Sequence, residues 1–184
     1  NPTVKPRRNQ CLQAEKGEIM VLLSTSETAR MLGISERQVQ NWIKDGIVNT
    51  LRKGQGRGNH HLLDLMSVLA IACARDSRRR GLSLLQAGYV CEWLMNHSLE
   101  SLQEQWRRGQ VFLFVVGDEV APFLCSREML FNSPDIDLVK AHTVGLPVAI
   151  LNLEGAYNKI VQRIEADRAT HTEDSSREMV RNED

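Results

Sequence analysis

The chain has 184 residues, and its 23 Lys and Arg balance its 23 Asp and Glu, so the formal net charge is zero. Its length fits one large domain or two small ones, and its apolar and charged fractions are ordinary for a globular protein. No stretch is long and apolar enough to cross a bilayer, so we expect no membrane partner.

The charge is unevenly distributed along the chain. The first 94 residues contain 14 Lys and Arg against 8 Asp and Glu, whereas residues 95–184 contain 9 against 15. A basic half beside an acidic half is typical of a nucleic-acid-binding module joined to a second part, although chance segregation gives the same pattern.

Residues 1–20 are polar and basic, with Pro2, Pro6 and Arg7 among them, and show no helical or strand period. We predict a flexible basic arm here. A short strand is predicted near its end, at residues 19–23.

The stretch from Ser24 to Gly46 predicts two short helices joined by a tight turn. Ser26 is the predicted N-cap of the first helix, because its hydroxyl can accept from free amides of the first turn. Ala29 and Leu32 supply apolar positions, and Gly33 can adopt the left-handed backbone that ends a helix.

Ser35 is the predicted N-cap of the second helix. Val39, Trp42 and Ile43 recur at helical spacing and so share a buried face, and Gly46 ends the helix. The remaining faces carry polar side chains: Arg37, Gln38, Gln40, Asn41 and Lys44. These five residues and Ser35 are the predicted DNA contacts of the helix. This arrangement is typical of a helix-turn-helix whose recognition helix, residues 35–45, binds double-stranded DNA in the major groove. The alternative is a helical hairpin with a solvated polar face.

The segment after this helix predicts a β-hairpin. Ile47 and Val48 start a strand, and Leu51 and Leu62 flank the turn-forming sequence GQGRG. A basic hairpin in this place is a wing, residues 51–60, that contacts the DNA backbone. Its predicted contact residues are Arg52, Lys53, Arg57, Asn59 and His60. The alternative is a glycine-rich linker.

Two further helices follow. Asp64 is the predicted cap of a helix that runs to about Arg80, and its apolar stripe is Leu65, Val68, Leu69 and Ala72. Gly81 ends that helix and Ser83 caps the next one. The predicted core face of this helix is Leu84, Ala87, Val90, Cys91 and Leu94.

This order of elements resembles the MerR superfamily of winged-helix DNA-binding proteins. The resemblance covers TSETARMLGISERQVQNWIKDGIV, LRKGQGRGNHHLLDL and RRRGLSLLQAGYV, and it implies one winged domain over residues 21–97 of a bacterial transcription regulator. The family usually has an arginine and aromatic residues where this chain has Gln40, Asn41 and Trp42, so the resemblance implies a different base preference. Phage excisionases and small terminase subunits use similar modules.

Residues 98–168 predict a small α/β domain. Leu102 and Trp106 lie on a short helix, apolar strands are predicted at 111–116, 120–124 and 146–153, and helices are predicted from Ser126, over 135–142 and over 154–168. Residues 169–184 are predicted to be a disordered tail. The predicted fold class is α+β, with an N-terminal winged helix-turn-helix domain followed by the small α/β domain.

No catalytic or metal-binding pattern is present. The chain lacks a P-loop, a dinucleotide-binding fingerprint, HExxH and GxSxG, so we predict neither an enzyme nor a cofactor. The four cysteines are dispersed, and Cys73 and Cys91 fit small core positions. We therefore expect a reduced, cytoplasmic setting and no metal site.

Three functions fit these features. The first is a sequence-specific transcription regulator that acts as a homodimer, with a protein partner or small effector at the C-terminal domain. The second is an excisionase-like or terminase-like accessory factor. The third is an interaction scaffold with secondary DNA binding.

Overall fold

The computed structural model describes residues 21–50, 61–116, 122–132 and 148–181. The chain divides into two compact units, with the boundary between Val68 and Leu69. The predicted domain boundary near residue 97 stays a prediction.

In its described part, residues 21–50 and 61–68, the first unit contains two helices, two short strands and the beginning of a third helix. Its elements are β1 (Leu23–Ser24), α1 (Thr25–Leu32), α2 (Glu36–Lys44), β2 (Leu62–Leu63) and the start of α3 (Leu65–Arg79). β1 and β2 pair antiparallel, with Leu23 opposite Leu63. The chain that follows α2 therefore returns to the strand that precedes α1.

The N-terminus of α1 is capped two residues earlier than the sequence predicts. The Ser24 hydroxyl accepts from the Glu27 amide at 3.3 Å, and the Ser24 amide donates to the Glu27 carboxylate at 2.7 Å. This capping box satisfies two amides at once. The prediction of Ser26 as the cap is therefore wrong, and Ser26 lies in the first turn.

The turn between the helices agrees with the prediction. Gly33 has a φ of 65°, and the amide of Ile34 donates to the carbonyl of Ala29 at 3.1 Å, which closes the end of α1. The hydroxyl of Ser35 then accepts from the Gln38 amide at 3.2 Å and caps α2.

The end of α2 differs from the prediction. The amides of Ile47 and Val48 both donate to the Trp42 carbonyl, and neither residue lies in a strand. A backbone that closes a helix end in this way cannot also pair as a strand. The predicted strand at Ile47 and Val48 is therefore wrong.

Within the described residues, the second unit contains the rest of α3, four further helices and a sheet. Its elements after α3 are α4 (Leu84–Met95), α5 (Leu99–Arg107), β3 (Phe112–Val116), β4 (Phe123–Cys125), α6 (Arg127–Asn132), β5 (Val148–Asn152) and α7 (Leu153–Arg181). The predicted helix over 135–142 lies outside the described residues.

The caps of α3 and α4 confirm the prediction. Asp64 accepts from the Ser67 amide at 2.7 Å, and Ser83 and Gln86 form a reciprocal capping box. The predicted core face of α4 is buried except at Leu84, which is 45% exposed. Leu84 is the first residue of the helix, next to the cap, and its side chain faces solvent.

β3 is the central strand of an antiparallel sheet with the order β4-β3-β5. Phe114, Cys125 and Leu130 form its buried cluster. Helices alternate with strands along the chain as predicted, but all described strand pairs are antiparallel. The parallel pairing typical of α/β folds is not present in the described residues, so an α/β domain is not confirmed.

The final helix is longer than the sequence predicts. α7 continues to Arg181, whereas an end near Arg168 and a disordered tail from 169 were expected. No glycine or proline interrupts the chain after Gly155, so the residues beyond Arg168 lack the two large penalties that end a helix, and an existing helix can propagate through them. The tail prediction is therefore wrong up to Arg181.

Candidate nucleic-acid interface

α2 has one buried face and one polar exposed face. Val39 is fully buried and Trp42 is 5% exposed. The side chains that the sequence predicts for DNA contact are all exposed: Ser35, Arg37, Gln38, Gln40, Asn41 and Lys44. The nine-residue helix therefore offers a continuous polar surface to a partner.

Both ends of α2 are fixed by hydrogen bonds within the first unit. Ser35 caps its start, and the amide of Gly46 donates to the Ile43 carbonyl at 3.2 Å beside the bonds from Ile47. A helix that is capped at both ends and anchored by Val39 holds its exposed side chains on a defined backbone. Such a backbone suits recognition of a rigid partner.

A second polar contact joins the starts of α1 and α2. The hydroxyl of Thr25, which is 2% exposed, donates to Oε1 of Glu36 at 2.9 Å. The same Glu36 oxygen accepts from Nε2 of Gln40 at 3.3 Å. Glu36 had no predicted role, although the four-residue spacing to Gln40 on one helix face could have indicated this pair.

The exposed face carries both cationic and amide groups. Arg37 and Lys44 supply positive charge near the two ends of the helix, and Gln38, Gln40 and Asn41 lie between them in sequence. Guanidinium and amide groups are the side chains that pair with base edges, and ammonium groups also bind phosphate. The composition of this face therefore matches the chemistry of the major groove.

The size of α2 also matches that groove. An α-helix with its side chains is about 10–12 Å across, and the major groove of B-DNA is about 12 Å wide, so a helix can lie in it. The nine residues of α2 give it a length of roughly 13–14 Å at about 1.5 Å per residue. A helix of this length can present two turns of side chains to the bases without a bend.

The predicted wing cannot be compared with the structure, because Arg52, Lys53, Arg57, Asn59 and His60 lie outside the described residues. Its flanks are described. The Ser67 hydroxyl donates to the Asn49 carbonyl at 3.0 Å before the segment, and β2 pairs with β1 after it. The roles of the five wing residues stay predictions.

The described cysteines are structural in character. Burial raises the pKa of the Cys91 thiol to about 12, and burial is also the main cause that raises the pKa of the Cys73 thiol. Both thiols stay protonated at neutral pH and are unsuited to thiolate chemistry. Their predicted place in the core is confirmed.

The described part of the chain has neither a cluster of metal-binding side chains nor a membrane-spanning helix. Within residues 21–50, 61–116, 122–132 and 148–181, no three His, Cys, Asp or Glu side chains are grouped to hold a metal ion. None of the helices described there has the length and apolar character needed to span a membrane.

Comparison with known proteins identifies the N-terminal part. Residues 22–75 match the family of the helix-turn-helix domain. The chain carries a helix-turn-helix DNA-binding domain. Members of this family also occur in excisionase-like proteins. No curated protein matches the chain.

The matched segment contains both helices of the site. It begins one residue before β1 and ends within α3, so the helix-turn-helix domain covers the capped turn at Gly33 and the whole exposed face of α2. The prediction of a helix-turn-helix is confirmed.

Proposed function

We propose that this protein is a sequence-specific transcription regulator that inserts α2 into the major groove of double-stranded DNA. The observation that carries the proposal is the exposed polar face of a helix whose opposite face is buried through Val39 and Trp42. The helix-turn-helix domain in residues 22–75 supports the same reading.

The exposed side chains suggest how bases are read. Arg37 is suited to guanine, which offers two acceptors, and Gln40 and Asn41 are suited to adenine, which offers one donor and one acceptor. Each bidentate pair discriminates by about 1–3 kcal/mol against the wrong base. Two such pairs together discriminate by about 2–6 kcal/mol, which is roughly 30-fold selectivity or more for one copy of α2.

The remaining parts of the proposal concern the DNA backbone and the second unit. The wing, residues 51–60, contacts phosphates and fixes the register of α2, as its resemblance to the MerR superfamily implies. The protein binds DNA as a homodimer, because one helix reads few base pairs and symmetric sites bind two. The second unit supplies dimerisation or binds a partner protein or effector, without enzymatic activity, and the protein acts in the cytoplasm.

A second candidate is an accessory factor that binds DNA for a partner enzyme. It is favoured by the occurrence of the same helix-turn-helix family in excisionase-like proteins. Genomic footprints at promoters support the regulator, whereas binding confined to attachment or packaging sites supports the accessory factor.

The test is a selection of bound sequences from random double-stranded DNA by the full chain. We expect one enriched site, and we expect Arg37→Ala and Gln40→Ala to weaken binding and relax base preference. Arg127→Ala on α6 and Gln162→Ala on α7 are matched controls, because both side chains are exposed in the second unit. Unchanged profiles for folded Arg37→Ala and Gln40→Ala variants would refute the recognition-helix proposal.

A further inference from the structure

Glu36, at the start of α2, contacts both the first residue of α1 and a side chain on the exposed face of α2. Its Oε1 accepts from the Thr25 hydroxyl at 2.9 Å and from Gln40 Nε2 at 3.3 Å. Thr25 is 2% exposed, so its hydroxyl is held by the packing around the start of α1. The bond to Thr25 therefore holds the carboxylate in place, and the same oxygen accepts the hydrogen bond from Gln40.

The contact restricts Gln40, which is otherwise a long exposed side chain. An unrestrained glutamine samples several rotamers and loses up to about 2 kcal/mol of entropy when it is fixed. The bond to Glu36 spans one helical turn, at i and i+4, where side chains on the same face meet. Part of the ordering that DNA binding requires is therefore already present.

The contact also selects the orientation of the Gln40 amide. The negative carboxylate attracts the amide nitrogen and repels the amide oxygen, so Oε1 of Gln40 is directed away from Glu36. The amide nitrogen has two hydrogens, and the Glu36 bond uses one of them. One N–H and the Oε1 acceptor remain available side by side.

The N–H donor and Oε1 acceptor that remain on the Gln40 amide match the major-groove edge of adenine. Adenine offers its N7 acceptor and its N6 amino donor in the major groove, whereas guanine offers two acceptors. A Gln40 amide that is held by Glu36 can pair with adenine through both atoms, and its fixed Oε1 faces an acceptor if the base is guanine.

We infer that Glu36 is a positioning residue that orients Gln40 to read adenine. The inference rests on the proposed function, because it requires α2 to lie in the major groove. Glu36 itself needs no contact with DNA in this arrangement. It sets the base preference through the side chain next to it.

The test measures competition binding of the full chain to its selected site and to versions with each base pair changed. Gln40→Ala should lower the preference for adenine over guanine at one position by about 5- to 150-fold, the range of one bidentate pair. Glu36→Ala should lower it at the same position by about three- to tenfold, because the glutamine remains but is no longer oriented. The double variant should show no loss beyond that of Gln40→Ala.

Two further variants separate positioning from folding. Glu36→Gln keeps the side-chain length and an acceptor oxygen but loses the negative charge that selects the amide orientation, so it should fold and retain only part of the preference. Glu36→Asp keeps the negative charge in the first turn of the helix but is one methylene shorter, so it should fold and still relax the preference. Glu100→Ala, which removes an exposed first-turn glutamate from α5, should change nothing.

The outcomes distinguish this inference from the proposed function. If neither Arg37→Ala nor Gln40→Ala alters base preference, the proposed function and the inference both fail. If Gln40→Ala relaxes one position but Glu36→Ala and Glu36→Asp do not, or lower affinity for all sequences equally, only the inference is overturned. Selection of guanine at the position that depends on Gln40 overturns it as well.

Discussion

Two glycine-to-alanine substitutions in this protein should change stability in opposite directions. Gly33 ends α1 with a φ of 65°, a left-handed backbone, whereas Gly88 lies inside α4 and has no positive φ. A Cβ added at either residue meets no atom within 4 Å. Space is therefore equal at the two positions, and the backbone conformation decides the result.

The magnitudes follow from that conformation. Alanine in the left-handed region costs about 1–2 kcal/mol, and its lower entropy in the unfolded chain returns about 0.4–1 kcal/mol. Gly33→Ala should therefore lower the free energy of unfolding by about 0.8 kcal/mol from the mid-values, and by at most about 1.6 kcal/mol. Gly88→Ala should raise it by about 0.5–1 kcal/mol, because alanine favours the helix interior.

Thermal unfolding of the full chain, followed by far-ultraviolet circular dichroism, measures both changes. At roughly 2–4 °C per kcal/mol for a chain of this length, Gly33→Ala should melt a few degrees below the parent and Gly88→Ala slightly above it. A shift of both variants in the same direction would refute the reasoning from backbone conformation. An unchanged melt for Gly33→Ala would show that the turn does not need a left-handed residue.

Three further predictions concern the core, the wing and the oligomer. Val39→Ala should lower the free energy of unfolding, measured by urea titration, by about 1.5–3 kcal/mol, because Val39 is fully buried. A loss below about 0.5 kcal/mol would contradict its packing role. Lys53→Ala should weaken binding to all DNA sequences and make the slope of log affinity against log salt concentration shallower by about one unit. An altered base preference with an unchanged slope would contradict a phosphate contact. Light scattering should find the full chain dimeric on DNA and a fragment ending at Asn96 monomeric, and DNA titration should find that the fragment binds DNA more weakly. If the two proteins had the same oligomeric state and the same affinity for DNA, the C-terminal part would not be the dimerisation element.

The sequence predicted the helix-turn-helix because its signals are local. A glycine that ends α1, a serine that caps α2 and the spacing of Val39 and Trp42 each depend on a few neighbouring residues. The structure reproduces all three. The same locality explains the success at Asp64 and at Ser83.

The predictions of the α1 cap and of a strand at Ile47 were wrong because two local sequence signals competed at each place. Ser24 and Ser26 are both good caps, and only the reciprocal bond with Glu27 selects Ser24. Ile47 and Val48 have high strand propensity, but their amides donate to the Trp42 carbonyl at the end of α2 and so do not pair with a strand. Propensity alone cannot rank such alternatives.

Pairing of the strands could not be predicted from the sequence. The apolar strands at 111–116 and 146–153 were recognised, yet their antiparallel register depends on contacts between residues more than 30 positions apart. The link from Glu36 to Thr25 is similar, because its partners come from different helices. The Glu36–Gln40 pair could have been found by spacing alone.

The anchors on the two sides of the segment between Thr50 and His61 determine how much stability an insertion there would cost. The chain is held on one side by the bond from Ser67 to Asn49 and on the other by the pairing of β2 with β1. When both anchors belong to the folded unit, each doubling of the length between them costs only about 0.6 kcal/mol of closure entropy. A few residues added between these anchors should therefore leave the pair of helices folded, even where they weaken DNA binding.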